Sequence, residues 1–194
     1  MKRISCYSKV NYLDKSVIIP SDQQSPRLYW LDLRLGITLT NNDILRRLRY
    51  TFDLYNATMI KLFALADLTV TDAQINGWLK KDDDEAFIAI TDTEFATFLN
   101  GFINLKRGKR EGEQPLPESQ LNNNIVFQKL RIALNLKSED IIDILLLAEL
   151  RFSKHELGAF FRKPDNRHYR ECKDQVLRNF LKGIQMQLRP NTPK

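Results

Sequence analysis

The chain has 194 residues, a net charge of +6 and ordinary apolar content, enough for one large packed domain or two small ones. It contains no run of about 18 apolar residues, which leaves no membrane-spanning helix, and Lys9, Asp14 and Lys15 interrupt the stretch where a secretory signal needs its apolar segment. Cys6 and Cys172 are the only cysteines, too few for a disulfide framework or a zinc site, and they fit a reducing cytoplasm.

The charge is unevenly spread. Residues 41–105 hold six Lys/Arg against ten Asp/Glu, whereas residues 106–194 hold eighteen against eleven. An acidic block therefore precedes a basic one, which is not the uniform basic coat of a general nucleic-acid binder.

Residues 1–40 carry Pro20 and Pro26 and no helical period, and read as an irregular extension. The extension is either an upstream mis-start or an arm that docks Tyr29, Trp30 and Leu31 on the core. From residue 41 the apolar pattern becomes helical. A first helix is expected over Asn42–Leu54, a second over Ala57–Asp67, a third from Thr71 and a fourth from Thr91. Thr71 with Gln74 and Thr91 with Glu94 have capping-box spacing, in which side chains satisfy backbone N–H groups that the helix cannot. Residues 108–122 contain Gly108, Gly112, Pro115 and Pro117 and read as a linker.

After the linker the pattern returns at a constant offset of 82. "LRYTFDL" (Leu48–Leu54) matches "LRIALNL" (Leu130–Leu136), "LAD" (Leu65–Asp67) matches "LAE" (Leu147–Glu149), and "FLNG" (Phe98–Gly101) matches "FLKG" (Phe180–Gly183). An ungapped register over about 66 positions argues duplication. The second copy is expected to start its helices near Asn124, at Ser138 as N-cap, at Ser153 with Glu156 as a third capping box, and near Arg170. The fold class is therefore all-α: two homologous four-helix units in tandem, related by a pseudo-twofold axis, at 41–107 and 123–189, with a tail at 190–194. Leu48, Leu65, Trp78, Phe98, Leu130, Leu147, Phe160 and Phe180 are the expected core. Gly101 and Gly183 fall at matching helical sites, where a glycine suggests a close helix crossing.

"NNDILRRLRY", "WLKKDDD", "FLNGFINLKRGKREG" and "RFSKHELGAFFRKPDNRHYRECKDQVLRNFLKG" resemble the YehS-like bacterial family, small proteins with a tandem domain of unknown function. The resemblance runs from about Thr40 to Arg189 and implies an all-helical, duplicated, cytoplasmic protein. It implies no activity.

No motif names a reaction: there is no glycine-rich phosphate loop, no nucleophile elbow and no pair of metal-binding histidines. The reading is non-enzymatic, with no cofactor. Lys106, Arg107, Lys109 and Arg110 close the first copy. There Lys106 and Arg107 also suit a helix C-terminus. In the second copy Lys154 precedes the dense stretch Arg162, Lys163, Arg167 and Arg170, which encloses His168 and Tyr169. Arginine grips phosphate bidentately and an aromatic ring stacks on a base, although Tyr169 aligns with Phe87 and reads as packing inward. These nine cations are the candidate contacts to RNA or DNA. If the two groups share a face they form one phosphate-binding strip; if they oppose each other, each is a solvated surface. The alternative is a protein–protein module or homo-oligomer that pairs acidic copy 1 with basic copy 2. The three-residue joints "LTV" and "LRF" between the second and third helices suggest a helix-turn-helix corner. Asp82, Asp83, Asp84 and Glu85 lack calcium-loop spacing and read as a solvated acidic loop. Cys172 aligns with Ile90 and reads as buried, against an i, i+4 thiol–imidazole pair with His168.

Overall fold

The computed structural model describes residues 38–190; the expectations for Tyr29–Leu31, for Cys6 and for the tail beyond Pro190 fall outside them. Among the described residues there are eight helices and no strand: α1 (Asn41–Thr51), α2 (Asn56–Leu65), α3 (Asp72–Leu79) and α4 (Asp92–Arg107) in the first copy, and α5 (Asn123–Ala133), α6 (Ser138–Leu147), α7 (Lys154–Ala159) and α8 (Asp174–Leu188) in the second.

The caps follow local chemistry. Thr40 with Asp43, Thr71 with Gln74, Thr91 with Glu94 and Ser153 with Glu156 each form a reciprocal box at the start of a helix. Asn122 caps α5 through the Ile125 N–H. Ser138 is not the cap of α6 but its first residue; the cap is Lys137, whose N–H donates to Asp140 Oδ2 at 2.7 Å. Four helices end on a left-handed residue that is not glycine: Asp53, Asp67, Asn135 and Glu149, with φ of 54°, 61°, 55° and 61°. The next N–H then reaches back five residues, as from Leu54 to the Arg49 carbonyl at 2.9 Å and from Leu136 to that of Arg131 at 3.0 Å. These stops recur at the same offset in both copies.

The cores repeat as well. Trp78 and Phe98 of copy 1 align with Phe160 and Phe180 of copy 2; the ring that joins them is Phe63 of α2 in copy 1, where copy 2 has Leu145, and Phe127 of α5 in copy 2, where copy 1 has Leu45. Leu48, Trp78, Phe98, Leu130, Phe160 and Phe180 are buried as expected. Two aligned residues are not. Leu65 is half-buried and Leu147 is 45% exposed. The linker covers the end of α2: Asn104 Nδ2 donates to the Leu65 carbonyl at 2.9 Å and to Gln114 Oε1 at 3.2 Å, and Lys109 pairs with Asp67 at 2.7 Å. At the end of α6 the residue that corresponds to Asn104 is Met186, which has no amide to bridge in this way.

The joints also differ from expectation. Six residues, 66–71 and 148–153, separate α2 from α3 and α6 from α7, and α7 has only six residues. The helix-turn-helix corner therefore has a long turn and a reader of under two turns. The expected start of the last helix near Arg170 moves to Asp174, because the Arg170 carbonyl and the Cys172 N–H bond the Asn124 side chain instead of a helical ladder.

The two copies meet through α1, α4, α5 and α8. α4 and α5 run side by side in the same direction: Asp92 at the start of α4 accepts from the Leu121 N–H at 2.8 Å, and Asn100 midway along it meets Lys129 of α5. α8 and α1 repeat this arrangement. Asp174 accepts from the Leu39 N–H at 2.7 Å, and Arg189 meets Asp53 at 3.1 Å beyond the other ends. These reciprocal contacts are the pseudo-twofold. They bring the N-terminal ends of all four helices together at one end of the molecule.

Gly101 and Gly183 mark the closest crossings. A Cβ at Gly101 would stand 1.8 Å from the Leu62 carbonyl oxygen, and one at Gly183 2.0 Å from that of Ile144. The obstacle is backbone in both cases, so α4 must move off α2, or α8 off α6. Gly101→Ala and Gly183→Ala are each expected to cost at least about 2–3 kcal/mol in urea unfolding. An unmoved midpoint in either variant would contradict the crossing.

Candidate functional site

The loop after α7 has a fixed backbone. Tyr169 N–H donates to the Asn166 carbonyl at 2.8 Å, Asn166 N–H to that of Lys163 at 3.0 Å, and Arg170 N–H to that of Ala159 at 3.2 Å. His168 N–H donates to Asn166 Oδ1 at 2.9 Å. Copy 1 repeats each bond: Phe87 to Asp84 at 2.9 Å, Asp84 to Lys81 at 3.0 Å, Ile88 to Gly77 at 3.0 Å, and Ala86 to Asp84 Oδ1 at 2.9 Å. The two loops share one shape and carry opposite charge. Residues 80–88 hold two lysines against three aspartates and a glutamate; residues 162–170 hold three arginines and a lysine against one aspartate.

Between the copy-2 loop and α7 lies a cleft of about 370 Å³, walled by His155, Glu156, Arg167, His168, Tyr169 and Arg170. Both histidines of the chain line it. The aligned residues of copy 1 are Ala73, Gln74, Glu85, Ala86, Phe87 and Ile88, with no cation among them. Arg167 Nε donates to His168 Nε2 at 2.8 Å, and Arg162 reaches the His168 carbonyl at 3.5 Å. Glu156 is the one acidic wall residue. Its carboxyl is held below the usual range chiefly by the Ser153 hydroxyl, then by the Ser153 backbone, with smaller help from Arg170. Tyr169 is half-buried, as is Phe87, so it is neither core nor a free stacking platform.

The other expected cations are dispersed. Lys154 pairs with Glu139 at 2.6 Å, and Lys163 is exposed on the loop. Lys106 lies over the Phe52 and Phe102 rings at 5.4 and 5.7 Å, Lys109 is paired with Asp67, and Arg107 and Arg110 are exposed. The two cationic groups do not form one strip. Asn124 Nδ2 ties the Arg170 carbonyl to the start of α5 at 2.8 Å, where α4 also starts, whereas Lys106 and Arg107 end α4 and Lys109 and Arg110 follow it. Fourteen residues of helix separate those ends, about 20 Å.

A second cleft, of about 240 Å³, lies on the pseudo-twofold between Leu39, Asn41, Asp92, Leu121 and Asn123. Its polar groups already serve one another, with Asn41 Nδ2 donating to Asp92 at 2.7 Å and Asn123 Nδ2 to Asp174 at 2.7 Å. In the acidic loop Asp82 binds Arg46 at 3.2 Å and Asp84 binds Lys80 at 2.9 Å. No cluster of three or more His, Cys, Asp or Glu that could hold a metal occurs among the described residues. No described helix is long and apolar enough to cross a membrane.

The convergence of His155 with His168 is not visible in linear spacing; the one available signal was their alignment with Ala73 and Ala86. Cys172 is buried and does not pair with the exposed His168. Burial first, then the Asp174 and Glu171 charges, push its thiol up to about 12. Since the thiolate is the nucleophile, iodoacetamide at mildly alkaline pH is expected to leave Cys172 unmodified in the folded protein and to label it after denaturation, as read by peptide mass spectrometry. Rapid labelling of the native state would contradict this burial.

Residues 41–108 and 123–189 match a family described as "Protein of unknown function (DUF1456)". A relative from Escherichia coli (strain K12), "Uncharacterized protein YehS", is 45% identical over 147 residues, covering 75% of this chain and 94% of the relative. No solved structure matches the chain.

Proposed function

Because the chain belongs to the DUF1456 family, whose description carries no activity, we propose from the chain's own surface that it is a non-enzymatic cytoplasmic adaptor or regulator that grips nucleic-acid phosphate, RNA or DNA, through the basic cleft of the second copy. One observation carries the reading. A duplicated loop with the same backbone bonds carries Arg167, His168 and Arg170 in copy 2, with His155 on α7, all lining one cleft, where copy 1 has Glu85, Ala86, Ile88 and Ala73. A fold needs none of these side chains to keep that backbone, since copy 1 keeps it without them. Guanidinium groups give charge-assisted bonds to phosphate, and an imidazole adds a directional donor through a ring N–H, which in His168 leaves Nδ1, since Nε2 accepts from Arg167.

A second reading rests on the same charge reversal. Asn42 pins the acidic loop to the start of α1 and Asn124 pins the basic loop to the start of α5, and those starts adjoin. Both loops therefore flank one end of the molecule. Two chains meeting end to end about a twofold would pair acidic loop with basic loop twice, the self-complementary geometry of a closed dimer.

Charge reversal separates the two. Arg167→Glu with Arg170→Glu is expected to weaken binding of single-stranded oligonucleotides at least about tenfold and to flatten its salt dependence. The melting temperature should hold, because Asn124 holds Arg170 by its carbonyl. Arg107→Glu with Arg110→Glu, at the far end of α4, should change binding by less than about twofold on the same scale. Absence of binding by the parent protein at low salt, together with a salt-sensitive dimer in sedimentation that the first variant abolishes, would replace the nucleic-acid reading with the dimer.

A further inference from the structure

We infer that the ligand of the copy-2 cleft is a phosphomonoester, either the terminal phosphate of a strand or a nucleoside monophosphate, and not the run of diesters along a strand. This rests on the reading that the cleft binds nucleic-acid phosphate.

Three observations carry it. The cleft is small and open to solvent: about 370 Å³ between α7 and a loop held by three backbone hydrogen bonds, with His155, Glu156, Arg167, His168 and Arg170 exposed along it, room for a small ligand rather than a chain. Beyond the cleft's walls the loop's only cations are Arg162, which reaches the His168 carbonyl, and the exposed Lys163, too few for a long track. Lys154, the nearest further cation on α7, is engaged with Glu139. Lys106, Lys109 and their neighbours lie about 20 Å away along α4, with Lys106 on aromatic rings and Lys109 on Asp67. The acidic loop, with Asp83 and Glu85 beside the paired Asp82 and Asp84, is tied to the same end of the molecule and disfavours the phosphates of a strand that crosses it. Proteins that follow a backbone use a continuous positive groove, and this surface changes sign at that point.

The third observation is the donor set. Arg167, Arg170, His155 and His168 face one small volume from the loop and from α7, opposed by Glu156 alone. A diester offers one negative charge. A monoester carries about −1.5 to −2 at neutral pH and presents three terminal oxygens, which matches several donors converging on one point. The bond from Arg167 Nε to His168 Nε2 fixes that guanidinium and leaves its two terminal amino groups for phosphate, and the half-buried Tyr169 lines the same cleft.

The test is fluorescence anisotropy on the full chain with one oligonucleotide sequence in three forms: 5′-phosphorylated, 5′-hydroxyl and covalently circular. A 3′-phosphorylated form and a longer strand are run beside them. A terminal phosphate is expected to strengthen binding at least about tenfold over the hydroxyl and circular forms. Lengthening the strand should add little, and the salt slope should correspond to about two phosphate charges. A nucleoside monophosphate that displaces the labelled strand as well as an unlabelled phosphorylated strand does makes the free nucleotide a ligand in its own right; displacement only by strands fixes the ligand as a strand end. If circular and hydroxyl forms bind as tightly as the phosphorylated one, or affinity climbs with length whatever the end, the monoester inference is overturned while the nucleic-acid reading stands. If neither strands nor monophosphates bind at low salt, both are overturned.

Discussion

Each copy depends on one buried asparagine side chain. Asn42 Nδ2 donates to the Trp78 carbonyl at 2.8 Å and to that of Ile88 at 2.9 Å, and its Oδ1 accepts from the Ile90 N–H at 3.1 Å. Asn124 makes the same three bonds to Phe160, Arg170 and Cys172 at 2.8, 2.8 and 2.9 Å. An amide placed in a core without partners costs several kcal/mol; here both donors and the acceptor are used. The bonds reach the end of the short third helix, the irregular loop after it and the approach to the last helix, which hydrophobic packing alone would leave loosely placed.

A second pair of groups converts two such units into one body. Asp92 accepts from Asn41 of its own copy and from the Leu121 backbone just ahead of the other; Asp174 accepts from Asn123 and from the Leu39 backbone just ahead of the first copy. Each carboxylate stands at the start of a last helix, where negative charge is favourable, and each ties that helix to the chain entering the opposite copy. The shared end that results sets both 80–88 and 162–170 beside the pseudo-twofold. The function proposed for the chain is thus a consequence of symmetry in backbone and asymmetry in side chains: one clamp, one loop shape, two charges.

Much of the fold could be read in the sequence because its determinants are local or repeated. Capping boxes span four residues, and a constant offset makes each copy a check on the other. Gly101 and Gly183 announced their helix crossings because a helical glycine has no local purpose. Contacts between distant segments were less legible. Asn42 and Asn124 bind backbone atoms 36 to 48 residues away, and backbone atoms leave no trace in residue type. Leu65 and Leu147 align but differ in exposure, because the linker that covers one has no counterpart over the other among the described residues. The cleft was half legible: Arg162–Arg170 stood out by density, but His155 joins it only because Arg170 bonds back to Ala159, folding the loop onto α7.

The clamp is the claim on which the rest turns, since it holds the loop that carries Arg167, His168 and Arg170. Its most direct test is equilibrium urea unfolding of Asn124→Ala beside the parent protein. Three backbone partners lose their bonds, two of them buried and one part-buried, each worth about 1–3 kcal/mol when left unsatisfied, so a loss of at least about 2–3 kcal/mol is expected. A variant whose midpoint and slope match those of the parent would show that packing alone places the loop, and would contradict the clamp.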